Sequence, residues 1–200
     1  MTLEQFKAIW QKAQIDINAN EKRFSELDAA TGGDGDHGTA IVAALNAIVH
    51  AEGDDFKAYI TDMAEKLETE ASGSTSSLYG AWCEGMADAV AAGKTELDAE
   101  ELAEMFEGGF DEICCVTKAR KGDKTMMDAL QPATEALLAA KDQGEASMFA
   151  AAAAAAKAGS EATAQMQAKF GRARNLGERS IGAIDAGSAS MAVIFAAFVA

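Results

Sequence analysis

Proline is almost missing from this chain: Pro132 is the single one among 200 residues. Cysteine is scarce too, and the three present, Cys83, Cys114 and Cys115, make no disulfide framework. The adjacent pair lacks metal-ligand spacing, and an odd count suits a reducing compartment. Buried apolar thiols in a cytoplasmic protein are therefore expected. Basic residues are few: 17 Lys and Arg stand against 32 Asp and Glu, for a formal net charge of −15. That excess argues against nucleic acid or an anionic membrane surface as a partner. No apolar run is long enough to span a bilayer, and the tail "MAVIFAAFVA" reads as a buried helix end. No secretory signal is read at the start. Thr2 and Gln5 have capping-box spacing in "MTLEQFKAIWQ", so a helix is expected there. Sustained period-two alternation is lacking as well, which argues against a sheet.

What remains is helical periodicity along nearly the whole chain. Leu3, Phe6, Ile9, Trp10 and Ala13 form one stripe. Ile41, Val42, Leu45, Ile48 and Val49 form a second, and Phe56, Tyr59, Ile60, Met63 and Leu67 a third. In "DAEELAEMFEGGFDEI", Asp98 and Glu101 have capping-box spacing ahead of Leu102, Met105, Phe106, Gly109, Phe110 and Ile113. Further helices are expected at about 75–92, 124–140, 145–168 and 187–199, with Pro132 kinking or restarting its own. The run "FAAAAAAAKAGSEATAQMQ" reads as a helix whose small side chains permit close packing. With no linker and no internal repeat, residues 1–200 are expected to form one all-α domain of about eight antiparallel helices.

A helical bundle needs only short polar turns. This chain has elaborate ones: "TGGDGDHG" (31–38), "SGSTSSLYG" (72–80), "RKGDKTM" (120–126) and "FGRARNLGERSIGAIDAGS" (170–188). Such segments suggest loops gathered at a site. Gly33, Gly35 and Gly38 match the dinucleotide fingerprint, but no strand precedes them and no βαβ unit surrounds them. An EF-hand fails too, since the sixth and twelfth loop positions counted from Asp34 are Thr39 and Leu45. Asp28, Asp34 and Asp36 are either ligands of Mg²⁺, which joins carboxylates to phosphates, or an acidic surface turn with a helix cap. Two carboxylates about 5 Å apart repel by roughly 3 kcal/mol at an effective dielectric near 20, so a cation or a proton is needed. Arg172, Arg174 and Arg179 either recognise phosphate or line a solvated face. "SGSTSS" is an anion site at a helix start or a flexible cap. His37 either donates to a phosphate or makes an ordinary hydrogen bond, and His50 reads as structural. "GDKT" lacks Walker A spacing.

Taken in order, "GDGDHG", "SG…LYG", "GDKTM.DAL" and "GRARNLGERSIG..D.G" resemble the nucleotide-binding L subunit, or DAK2-type domain, of dihydroxyacetone kinases. The resemblance covers essentially the whole chain. It implies a barrel of eight antiparallel helices with ADP or ATP held in loops at one end. It implies two Mg²⁺ ions on Asp28, Asp34 and Asp36. It implies nucleotide contacts from His37, Gly38, Thr39, Ala40, Ser74, Thr75, Thr117, Met126, Arg172, Asp185, Ala186 and Gly187, with Arg172 as a charge stabiliser. A separate K subunit would hold the ketone, and a phosphohistidine carrier or free ATP would supply the phosphoryl group. A homodimer or a heterocomplex is the implied assembly. The chain departs from the family pattern in placing five residues rather than four between Asp28 and Asp34, which displaces Asp28 or bulges the loop. "SGSTSS" and "GAIDAG" stand where the family reads "GGASGP" and "GHQDPG", allowing a different ketose, such as a tetrulose, or a different donor. A regulatory module that binds ADP–Mg²⁺ and acts through protein contact is the alternative.

Overall fold

A computed structural model of the chain describes residues 1–199. Among them are eight α-helices: α1 Leu3–Ala30, α2 His37–Val49, α3 Phe56–Glu70, α4 Gly73–Asp88, α5 Ala99–Val116, α6 Met127–Ala140, α7 Glu145–Ala162 and α8 Ala186–Ala197. Three 3₁₀ segments, Lys141–Gln143, Thr163–Gln165 and Arg172–Ser180, lie in the connections. The described residues contain no strand, only an isolated bridge between Thr2 and Glu96. The expected capping boxes form. Thr2 and Gln5 exchange bonds at the start of α1, and Asp98 and Glu101 do so at the start of α5. No helix is long and apolar enough to cross a membrane, among the described residues.

Each helix packs on the next, and α8 packs back on α1, so the contacts run in a closed ring. The ring's interior is aromatic. Trp10 of α1 meets Trp82 of α4 edge-on at 6.0 Å, Phe106 of α5 lies 5.6 Å from Phe149 of α7, and Phe149 stacks on Phe198 at 4.9 Å. Such pairs add about 0.5–1.5 kcal/mol each beyond their burial. The indole nitrogens of Trp10 and Trp82 have no hydrogen-bond partner among the described residues. Leaving them unpaired costs about 1–3 kcal/mol apiece, which the surrounding ring contacts offset.

Several helix ends differ from expectation, each for a local reason. α6 starts at Met127 rather than near 124, because the Asp128 carboxylate accepts from Gly122 N (2.6 Å) and Thr125 N (2.8 Å) and holds the preceding residues in a turn. α4 stops at Asp88, where Lys57 Nζ takes the Ala87 carbonyl at 3.1 Å. α7 stops at Ala162, where Thr163 bonds back to the Ser160 carbonyl at 2.6 Å and Met166 turns extended. Pro132 does not restart its helix; α6 runs through it. The Asp128 carbonyl, which proline leaves without an N–H partner, faces Gly159 of α7, where any side chain would collide with it.

In an antiparallel ring alternate connections share an end. The four glycine-rich segments span the connections α1–α2, α3–α4, α5–α6 and α7–α8. They therefore collect at one end, away from the end tied by the bonds of Met1 and Leu3 to Leu97 and Thr95.

Candidate functional site

At that end lies a cleft of about 620 Å³, lined from all four connections. Its acidic side is built on the last turn of α1. Asp28 stands there, and Thr31 closes the helix by donating to the Leu27 and Asp28 carbonyls at 3.1 Å. The chain then turns through Gly32 and Gly35, at φ +84° and +78°. Those left-handed values suit glycine and few other residues. Gly35 N donates to Asp28 Oδ2 at 2.8 Å, and a side chain on Gly33 would run into the same carboxylate. The extra loop residue is thus taken up in a coil over Asp28, which stays at the site. Carboxylate oxygens of Asp28, Asp34 and Asp36 lie within 4.8 Å of one another. Hard oxygen donors so grouped, two of them on exposed residues, fit a magnesium ion that retains water and phosphate ligands.

The electrostatics follow from this crowding. Partial burial raises the Asp36 carboxyl, and Asp34 and Asp28 raise it further. Burial also acts to raise Asp34, but the Arg172 guanidinium paired with it outweighs that, and the carboxyl sits below its ordinary value. Leu176, four residues beyond Arg172, fills the space a side chain on Gly32 would take. The arginine segment and the acidic loop are therefore packed directly against each other.

Two helix N-termini open on the cleft. Asp36 and Ser72 are the N-caps of α2 and α4, and neither side chain bonds its own helix. Their first-turn N–H groups are free for an anion. By contrast α8 is capped internally, with Asp185 accepting from Ser188 N at 2.7 Å. His37 Nε2 lies 2.9 Å from Ser190 Oγ, whose own proton goes to the Gly187 carbonyl at 3.0 Å. His37 must then donate, leaving Nδ1 as an acceptor. Burial lowers its pKa, with Asp28 opposing, so the ring is neutral near pH 7.

Of the nucleotide contacts implied by the sequence, His37, Thr39, Ala40, Ser74, Thr75, Met126, Arg172, Asp185, Ala186 and Gly187 line the cleft. Gly38 and Thr117 do not. Gly38 is buried against the Glu21 carbonyl, where any side chain would collide, so it serves the α1–α2 contact. Thr117 ends α5, and its hydroxyl accepts from Ala119 N at 3.1 Å. Lys124, Tyr79, Leu78 and Phe170 line the cleft without having been expected there. Lys124 and Tyr79 sit in segments whose letters stood out, but only the fold turns their side chains inward.

Burial raises the Asp185 carboxyl to about 7 from an ordinary 3.8, against the pull of its Ser188 bond and Lys124. The folded state thus holds this proton more tightly than the unfolded chain does. The resulting stabilisation is complete below about pH 4 and is lost as pH rises through about 7. Asp185→Asn is expected to flatten that decline by roughly 4 kcal/mol, about three pKa units at about 1.4 kcal/mol each, read by urea unfolding at pH 4 and pH 8. An unaltered slope would show that Asp185 does not carry it.

Residues 32–200 match the DAK2 domain. The chain belongs to that family. It is 33% identical over 190 residues to the PEP-dependent dihydroxyacetone kinase 1, ADP-binding subunit DhaL, of Listeria innocua, covering 92% of this chain and 88% of that one. It is 34% identical over 192 residues to the corresponding Escherichia coli subunit, covering 91% and 89%. A D-erythrulose kinase of Mycolicibacterium smegmatis is 34% identical over 86% of this chain, which spans only 31% of that protein. In three dimensions the whole chain overlays 34% of the C. freundii dihydroxyacetone kinase, with a TM-score of 0.77 at 25% identity. The DAK2 chain is thus similar in extent to the separate subunits and to about a third of the longer kinases.

Proposed function

We propose that this chain is the nucleotide-binding subunit of a small-ketose kinase. The observation that carries the proposal is the convergence of Asp28, Asp34 and Asp36 beside two uncapped helix N-termini in one cleft. The named DhaL relatives bind ADP, which fits a site of this composition. ADP or ATP would lie in the cleft with its phosphates between the N-termini of α2 and α4 and the acidic trio. Asp28, Asp34 and Asp36 would hold Mg²⁺, two ions in our reading. Such ions neutralise phosphate charge and orient the transferring group.

The protein's own part is positioning and charge. The N–H groups at the starts of α2 and α4 hold phosphate oxygens. Neutral His37, fixed by Ser190, offers an acceptor without adding charge. Arg172 reaches the metal side of the cleft and supplies positive charge where the leaving phosphate gains negative charge. No side chain is required as a covalent intermediate. The ketone would be held by a separate K subunit, with its terminal hydroxyl presented to the cleft. Free ATP or a phosphohistidine carrier would restore the donor, in a cytoplasmic complex.

The test is reconstitution. The chain is mixed with a ketone-binding subunit, Mg²⁺ and either ATP or a phosphohistidine carrier. Dihydroxyacetone is offered in one arm and erythrulose in the other, because erythrulose kinases are among the relatives. Formation of a ketose phosphate that depends on this chain is expected. Failure with both ketoses and both donors, while a known L subunit succeeds, would refute the proposal.

A further inference from the structure

The letters "GDKT" carry no nucleotide fingerprint, yet the fold turns their lysine inward. Lys124 is 2% exposed. It is also the only non-glycine residue with positive φ, at +59°, among the described residues. A left-handed lysine is disfavoured, and a buried ammonium is disfavoured further. A turn that served the chain path alone would take glycine, as it does two residues earlier at Gly122, φ +96°. Backbone held in this way persists where its surroundings over-determine it, commonly beside ligand sites.

The surroundings do over-determine it. The loop curls round the Asp128 carboxylate, which takes the Gly122 and Thr125 N–H groups. Lys124 Nζ then donates to the Thr163 carbonyl at 2.8 Å and the Ala183 carbonyl at 2.6 Å. Thr163 Oγ1 in turn accepts from Asp185 N at 2.9 Å. One ammonium therefore ties together the α5–α6 connection, the end of α7 and the entry to α8. Two walls of the cleft meet there, Thr125–Met126 and Asp185–Gly187. They lie side by side: a Cβ added at Gly187 would come to 3.4 Å from Met126 Cβ.

We infer that Lys124 is a positioning residue for the nucleotide, its ammonium locking the Thr125–Met126 and Asp185–Gly187 walls into one binding surface. The inference rests on the nucleotide-binding role proposed above. Lys124 acts through the walls, since two of its three N–H donors are already taken by carbonyls.

Lys124→Met keeps the apolar stem and removes the donors. Its Kd for ADP–Mg²⁺ is expected to rise about tenfold to a hundredfold, the loss of one to two charged hydrogen bonds. Binding of Mn²⁺ to the acidic trio without nucleotide, followed by electron paramagnetic resonance, is expected to be unchanged. In the reconstituted kinase, KM for nucleotide should rise with little change in kcat. A folded variant with wild-type Kd overturns the inference. So does an equal loss of Mn²⁺ and nucleotide affinity, which would mark a general structural role. Amide hydrogen exchange on the unmodified chain can still overturn the inference if the variant does not fold. ADP–Mg²⁺ should protect residues 124–126 and 183–187 together, and protection of one segment alone overturns the coupling. If the unmodified chain binds no ADP at all, the nucleotide-binding role itself fails.

Discussion

Asp36→Asn is expected to abolish Mg²⁺-dependent ADP binding, raising Kd by at least about 100-fold, a loss that outer-sphere substitutions alone can reach at metal sites. The same change is expected to leave the free protein as stable as before, or more so. Asp36 makes no side-chain cap bond to α2, so no cap is lost. Its carboxyl is raised by burial and by Asp34 and Asp28, so the amide removes repulsion rather than attraction. Binding and stability should thus move in opposite directions, a pattern that simple unfolding cannot produce. Calorimetry with and without Mg²⁺, alongside thermal denaturation, reads both. Unchanged ADP affinity would remove Asp36 from the metal set.

Arg172→Gln carries the second large effect. Turnover of the reconstituted kinase is expected to fall by about 10²–10³, the scale set by single charge donors aimed at a transferring phosphoryl group. Folding stability should change by less than about 1 kcal/mol, because the Arg172–Asp34 pair is exposed on both sides. Mg²⁺ affinity without nucleotide should not fall, since a cation that competes for Asp34 has been removed. The check is kcat at saturating nucleotide beside a Mn²⁺ titration. A drop in Mn²⁺ affinity with normal turnover would assign Arg172 to shaping the acidic loop instead.

Much of this was legible in the letters, for identifiable reasons. Apolar stripes name helix faces, and the faces named for α1, α2, α3 and α5 are the buried ones. Four ornate connections in an all-helical chain pointed to a site, and antiparallel packing brings the four together. The three aspartates and Arg172 stood out because their chemistry is local and unusual. What could not be read was set by side-chain bonds that periodicity does not encode, some local and most distant in sequence. Asp128 bends the turn ahead of its own helix. Lys124 turns inward only because carbonyls of Thr163 and Ala183 await it. Gly38 reads as part of a phosphate loop from its backbone, but that its missing side chain also answers to the Glu21 carbonyl one helix away was not legible. Thr117 enters only through the family resemblance, and the end of α5 places it outside the cleft lining. The residue count between Asp28 and Asp34 allows a displaced Asp28 or a bulged loop, and the glycines at 32, 33 and 35 give the bulge.

The most direct measurement is calorimetric titration of ADP into the unmodified chain, once with Mg²⁺ and once with the divalent ions chelated. A metal-held nucleotide site predicts saturable binding with Mg²⁺ that weakens by about 100-fold or more on chelation. No binding with Mg²⁺ present, or equal affinity in both titrations, would contradict the assignment of this cleft.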